Sequence, residues 1–122
     1  MVLTIPGRLP SLNDIIAMSK QGRGRWQPYA MCKSIHENVI ILECKRQKLK
    51  PIGKCNVIIT YYCKDKRRDK DGMSAGGNKV ILDALQKAGI IKNDNWRYLG
   101  DITNKYELSA KEYIKVELEE IT

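Results

Sequence analysis

The sequence predicts an α+β fold: one compact domain over residues 1–122, in which a mixed β-sheet carries two α-helices. Three observations predict it. Between residues 29 and 49 the apolar residues Cys32, Ile35, Val39 and Leu42 recur at three- and four-residue steps, the period of an amphipathic helix of about five turns. Residues 54–63 are rich in β-branched and aromatic side chains, which marks a largely buried strand. Toward the C-terminus, Tyr113-Ile114-Lys115-Val116-Glu117-Leu118-Glu119 alternates apolar with polar, as a half-buried antiparallel strand does.

The remaining elements follow in order. Residues 2–5 read as a short strand stopped by Pro6-Gly7, and Leu9-Pro10-Ser11-Leu12-Asn13-Asp14 reads as loop or turn. Lys20-Gln21-Gly22-Arg23-Gly24-Arg25-Trp26 is a basic, glycine-bearing stretch expected to be mobile. The helix over 29–49 ends in Lys45, Arg46, Lys48 and Lys50, which suit the negative pole of its dipole, and Pro51 and Gly53 stop it. After the strand at 54–63 come a charged segment, 64–71, and a flexible connector, 72–77. A second helix is expected over 78–88, with Ile81, Leu85 and Ala88 on one face and Gly89 as a left-handed cap. A turn at Lys92-Asn93-Asp94-Asn95 and strands near 97–107 and 111–120 complete the order βαβαββ.

Composition narrows the function. Lys and Arg outnumber Asp and Glu by 22 to 14, a formal net charge of +8, so anionic partners are favoured, nucleic acid first and anionic membrane second. Neither predicted helix combines a basic face with exposed large aromatics, which disfavours a membrane-surface role. No apolar run approaches the roughly 20 residues of a membrane span. The start, Met1-Val2-Leu3-Thr4-Ile5-Pro6, lacks the pattern of a signal peptide, and the expectation is an intracellular, cytoplasmic protein. Cys32, Cys44, Cys55 and Cys63 have no C-x-x-C spacing and are expected as free thiols. Cys32 and His36 lie four apart on the predicted helix, but two ligands do not make a zinc site. With one histidine there is little room for a His-based nucleophilic mechanism.

Chemistry concentrates in Arg67-Arg68-Asp69-Lys70-Asp71, with Lys79 and Asp94 downstream. Carboxylates repel nucleic acid, so clustering them in a basic protein makes electrostatic sense when a divalent cation stands between them and the phosphates. Magnesium is usually held by one or two carboxylates together with substrate phosphate oxygens. If the backbone is extended here, Asp69 and Asp71 point to the same side and can converge on one ion. The plain alternative is that both are turn formers in a solvated charge run. Lys79 is open to two readings as well: a surface pair with Asp83 at i, i+4, or a cation on the scissile phosphate. For nucleic-acid contact the candidates are Lys20, Arg23, Arg25, Arg67 and Arg68, with Asn13 as a polar contact and Trp26 as a stacking or core residue. An EF-hand loop, a P-loop and an E-x-K nuclease motif each lack a required residue or context.

The string Leu9-Pro10-Ser11-Leu12-Asn13, followed by Arg67-Arg68-Asp69-Lys70-Asp71, Lys79, Asp83-Ala84-Leu85, Lys87-Ala88-Gly89 and Asn93-Asp94, resembles the RusA-like Holliday-junction resolvases. These are small nucleases of bacteriophages and prophages. The resemblance implies a homodimer that binds four-way DNA junctions and nicks two opposing strands with magnesium, or with manganese in its place, and needs no organic cofactor. It implies that Asp69, Asp71 and Asp94 are the essential, metal-holding aspartates and Lys79 the essential lysine. The chain departs from the family pattern at Gly72, where Asn is common, and in a longer connector before Lys79. A helix over 78–88 alone is about 16 Å long, so Asp94 has to return nearly extended to reach Asp71 within one subunit, or the site is completed across a dimer. The competing class is a basic nucleic-acid-binding module without catalysis.

Overall fold

The structure is a computed structural model and describes residues 1–24 and 26–121. Its elements are β1 (Val2–Pro6), α1 (Leu12–Gln21), α2 (Pro28–Arg46), β2 (Cys55–Cys63), α3 (Lys70–Lys87), β3 (Leu99–Leu108) and β4 (Tyr113–Glu120). The strands form one mixed sheet in the order β1-β4-β2-β3. β4 pairs antiparallel with both β1 and β2, whereas β2 and β3 run parallel, joined by the crossover helix α3. The α+β class therefore holds, with three helices among the described residues where two were expected.

One face of the sheet carries the core. Leu3 and Ile5 of β1, Val57, Ile59 and Tyr61 of β2, and Ile114, Val116 and Leu118 of β4 are buried beneath Ile40 and Cys44 of α2 and Val80, Ile81, Ala84 and Leu85 of α3. Neighbouring residues of the same strands point to the other face, where Tyr62 and Tyr113 stack at 4.2 Å and Lys115 pairs with Glu117 at 3.1 Å. All four cysteines are free, and three of them are buried. No helix of the described residues is long and apolar enough to cross a membrane.

Three expectations are corrected. First, residues 12–21 are helix α1, started by a capping box in which Ser11 and Asp14 satisfy each other's backbone N–H groups at 3.2 and 2.9 Å. Lys20 belongs to its last turn, and Arg23 and Trp26 exchange two backbone hydrogen bonds of 2.9 Å. Second, α3 begins at Lys70, eight residues before the predicted start, so the segment expected to be a flexible connector is two turns of helix. Two of its three glycines, Gly76 and Gly77, are there for contact. A Cβ on Gly76 would collide with the backbone of Pro10 and Ser11, and one on Gly77 would lie 2.6 Å from the Tyr61 hydroxyl.

Third, α2 turns a different face to the core. Ile35, Val39 and Leu42 are 62%, 38% and 63% exposed, while Glu37, Ile40 and Cys44 are buried. The helix is apolar on more than one side, so a three-four period has two solutions. Contact with α3 decides between them: Lys33 reaches Asp83 at 2.5 Å and Glu37 receives Lys87 at 2.9 Å, and these pairs need the face that holds Ile40.

Candidate functional site

The joint between β2 and α3 carries the charged motif. Asp65 Oδ1 accepts the Arg67 N–H at 3.0 Å and turns the chain as it leaves the strand. Asp69 is the N-cap residue of α3 in extended backbone, and its side chain makes no capping hydrogen bond. Asp71 lies in the first helical turn, where its Oδ1 accepts the Gly72 N–H at 2.9 Å. The extended i, i+2 geometry expected for the two aspartates is thus replaced by an N-cap and a first-turn position. Both carboxylates still sit at the positive pole of the helix, which favours anions there. Both are exposed, and neither is in an ion pair with a described residue.

The N-terminal segment is brought against this joint. Arg68 Nη2 donates to the Leu9 carbonyl at 3.2 Å, and the bare Cα of Gly76 lets Pro10 and Ser11 lie directly on α3. A cleft of about 270 Å³ results, lined by Arg8, Asn13, Arg67, Arg68, Asp69 and Gly72 among others. Four of the residues singled out in the sequence, Asn13, Arg67, Arg68 and Asp69, therefore meet in one place although more than fifty positions separate Asn13 from the rest.

The other half of the expected site lies elsewhere. Lys79 Nζ stands 3.1 Å from Asp83 Oδ1 and 3.9 Å from Asp94 Oδ2. Lys33 of α2 holds the second oxygen of Asp83 at 2.5 Å. Burial works to raise the Asp83 carboxyl, but the hydrogen bonds from Lys33 and Lys79 outweigh it and hold its pKa below the ordinary value. The same bond raises the pKa of Lys33. Lys79 is eight residues from Asp71, about 12 Å along the helix axis, and it leans toward the C-terminal end. Asp94 follows Lys79. The expected convergence of Asp69, Asp71 and Asp94 is not present in the subunit, and no group of three His, Cys, Asp or Glu among the described residues is placed to hold a metal ion. The physical reason is the early start of α3: Asp71 rides on the first turn of an 18-residue helix, and the chain returning from its far end reaches only to Lys79.

The residues fit a divalent cation in part. Asp69 and Asp71 are exposed carboxylates of the kind magnesium takes, one or two at a time, when phosphate oxygens complete its shell. Asp94 does not join them within one subunit. Cys32, His36 and Asp14 face one groove, yet the Asp14 carboxylate is engaged by the Ser11 N–H, and that groove is not a metal site either.

Among the remaining candidates, Lys20 is exposed seven residues along α1 from Asn13, about 10 Å away on the axis. Arg23 is exposed in the following turn, and Arg25 lies outside the described residues. Trp26 is half exposed. Sequence reasoning passed over Lys33 and Trp96. Nothing in a helical period reveals that Lys33 will find Asp83, fifty positions away. Trp96 did leave a signal, an aromatic inside the turn-forming string Asn93-Asp94-Asn95-Trp96-Arg97, where no core position is on offer. Compared with models of known protein families and with curated proteins, the chain matches none.

Proposed function

We propose that this protein is a metal-dependent endodeoxyribonuclease that nicks branched DNA, four-way junctions first, inside the bacterial cell as a homodimer encoded by a phage or prophage. The observation that carries the reading is the pair Asp69 and Asp71 at the start of α3: two exposed carboxylates without a cation partner among the described residues, Asp69 sharing a cleft with Arg67, Arg68 and Asn13, in a protein of net charge +8. Unpaired acid next to a phosphate-binding surface is electrostatically unfavourable unless a cation bridges them.

Asp69 and Asp71 would hold magnesium, or manganese in its place, and Arg67 and Arg68 would take the flanking phosphates. When bound, the metal supplies an activated water and neutralises the leaving 3′-oxygen. Lys79, more than half exposed and steadied by Asp83 and Asp94, offers a cation to phosphates farther along the strand. Cutting both opposing strands needs two sites, hence the dimer.

A second reading, a basic DNA-binding module without catalysis, is favoured by the separation of Asp94 from Asp69 and Asp71. One experiment decides. Wild type and Asp71→Asn are incubated with a four-way junction and a linear duplex in magnesium. The nuclease reading expects nicked junction from wild type alone, with junction binding by Asp71→Asn kept or strengthened. Equal nicking by both, or none by either, overturns it.

A further inference from the structure

Resting on the DNA reading above, we infer that Trp96 and the cleft beneath it bind an unpaired nucleobase, which makes Trp96 the group that distinguishes branched from linear DNA.

Trp96 is 92% exposed, the most exposed large apolar side chain among the described residues. Indole on a soluble surface ordinarily lays at least one face on the protein. Here the backbone on either side is pinned. Asn93 Oδ1 accepts the Asp94 N–H at 2.7 Å, Asn95 Oδ1 accepts the Arg97 N–H at 3.0 Å, and the Asn95 carbonyl accepts Tyr98 and Leu99 N–H groups at 3.1 and 2.9 Å. The turn therefore holds the ring out from the surface.

The space beside it has the dimensions and chemistry of a nucleotide site. A cleft of about 510 Å³ is lined by Trp96, Lys54, Asn56, Asn95, Asp101 and Ile121, with other residues of the β3 edge. Apolar floor, amide and carboxylate groups of both hydrogen-bonding senses, and a flat aromatic wall together suit a planar heterocycle with donors and acceptors on its edge. One cation, Lys54, lies in the lining, and next to Trp96 in the chain Lys92 and Arg97 stand 5.5 and 5.6 Å from the Tyr98 ring centroid, a second aromatic with cations upon it. Aromatic platforms interleaved with cations are the arrangement that binds single strands, whereas the core of a protein interface is depleted of charge. Asp94 lines the same cleft, so the ring stands beside the Lys79–Asp94 pair.

A base inside intact duplex is stacked on both faces and cannot reach Trp96. A base in a single strand can, and a base at a branch point, where the continuous stack is interrupted, is unpaired at smaller cost than one inside a duplex. Stacking there selects the substrate by its unstacked bases and needs no sequence readout.

The chain has two tryptophans, so Trp26→Phe leaves Trp96 as the sole tryptophan, excited at wavelengths where the tyrosines do not absorb. Its fluorescence is titrated with a four-way junction, a single-stranded oligonucleotide and a linear duplex, with calcium in place of magnesium. Quenching by the first two and not by the duplex is expected. Trp96→Ala should weaken junction binding about 5- to 100-fold, leave duplex binding unchanged, and be largely rescued by Trp96→Phe. Should Trp26→Phe not fold, the difference in emission between wild type and Trp96→Phe gives the same readout. Equal quenching by linear duplex, DNA binding without quenching, or conversion of a wild-type dimer to monomer by Trp96→Ala in sedimentation overturns the inference. Quenching without any nicking supports the base site and refutes only the nuclease. Nicking that depends on Asp71 but ignores Trp96 does the reverse.

Discussion

Replacing Gly76 by alanine should separate the N-terminal loop from α3. The added methyl would lie 2.7 Å from the Ser11 carbonyl carbon and 2.9 Å from its Cα, and closer still to the Pro10 oxygen. Carbon atoms rest comfortably at about 3.5–4.0 Å, so the loop has to retreat by roughly 1 Å. Backbone cannot rotate away as a side chain can, which puts the overpacking cost at about 3 kcal/mol. Alanine gains about 1 kcal/mol of helix propensity over glycine, leaving a net loss of about 2 kcal/mol. Gly72, one turn earlier in the same helix, is the control: its Cβ would meet nothing nearer than Asp69 Cβ at 3.7 Å. Gly72→Ala should therefore stabilise by up to about 1 kcal/mol. Urea denaturation of the two variants beside wild type measures the difference, a gap of about 3 kcal/mol or roughly 1–2 M in midpoint. Equal midpoints for the two variants, or a Gly76→Ala protein more stable than wild type, would refute the contact. The same variant should open the cleft that joins Asn13 to Asp69, since the loop that moves is the one that carries Asn13.

Two further outcomes follow from the ion pairs and the charge. Asp83→Asn removes the partner of the half-buried Lys33 and should cost about 1–3 kcal/mol near neutral pH. Because the folded pKa of Asp83 lies below its ordinary 3.8, its contribution is complete above that pH and fades as the pH falls through the lowered value. Thermal melts of wild type and Asp83→Asn should accordingly converge only below about pH 4; a constant difference into strong acid would contradict the pairing. Junction binding should fall steeply with salt, and Arg67→Ala should reduce the magnitude of the log–log slope by about one, measured by titration at several ionic strengths. An unchanged slope would remove Arg67 from the phosphate contacts.

What the sequence made legible was the sheet and the place of the charged joint that follows β2. The β-branched run of β2 and the alternation of β4 have one physical solution each, and their bounds fall within two residues of expectation. The helices were harder for identifiable reasons. α1 hid behind Pro10 and Asn13, although Ser11 and Asp14 spell its cap. The glycines of α3 looked like breakers because their local cost is visible in sequence, whereas the close contacts with Ser11 and Tyr61 that offset it are not. α2 offered two apolar faces, and only the lysine and glutamate reaching α3 chose between them. At the site, local spacing identified Asp69 and Asp71 as neighbours. The position of Asp94 depends on where a long helix begins, a tertiary matter that spacing does not carry; of the two arrangements left open, the one closed within a single subunit is not present among the described residues.

The two halves of the site differ in stiffness. Asp69 and Asp71 sit on the seam between the interior strand β2 and a helix whose next turns are wedged under Pro10 and beside Tyr61. Asp94 and Trp96 hang on a surface bend with few buried neighbours, the kind of segment that opens at small cost. Among the described residues the N–H groups of this bend are tied only by hydrogen bonds within it, so the amide hydrogens of residues 92–98 should exchange long before those of α3 beyond its first turn do.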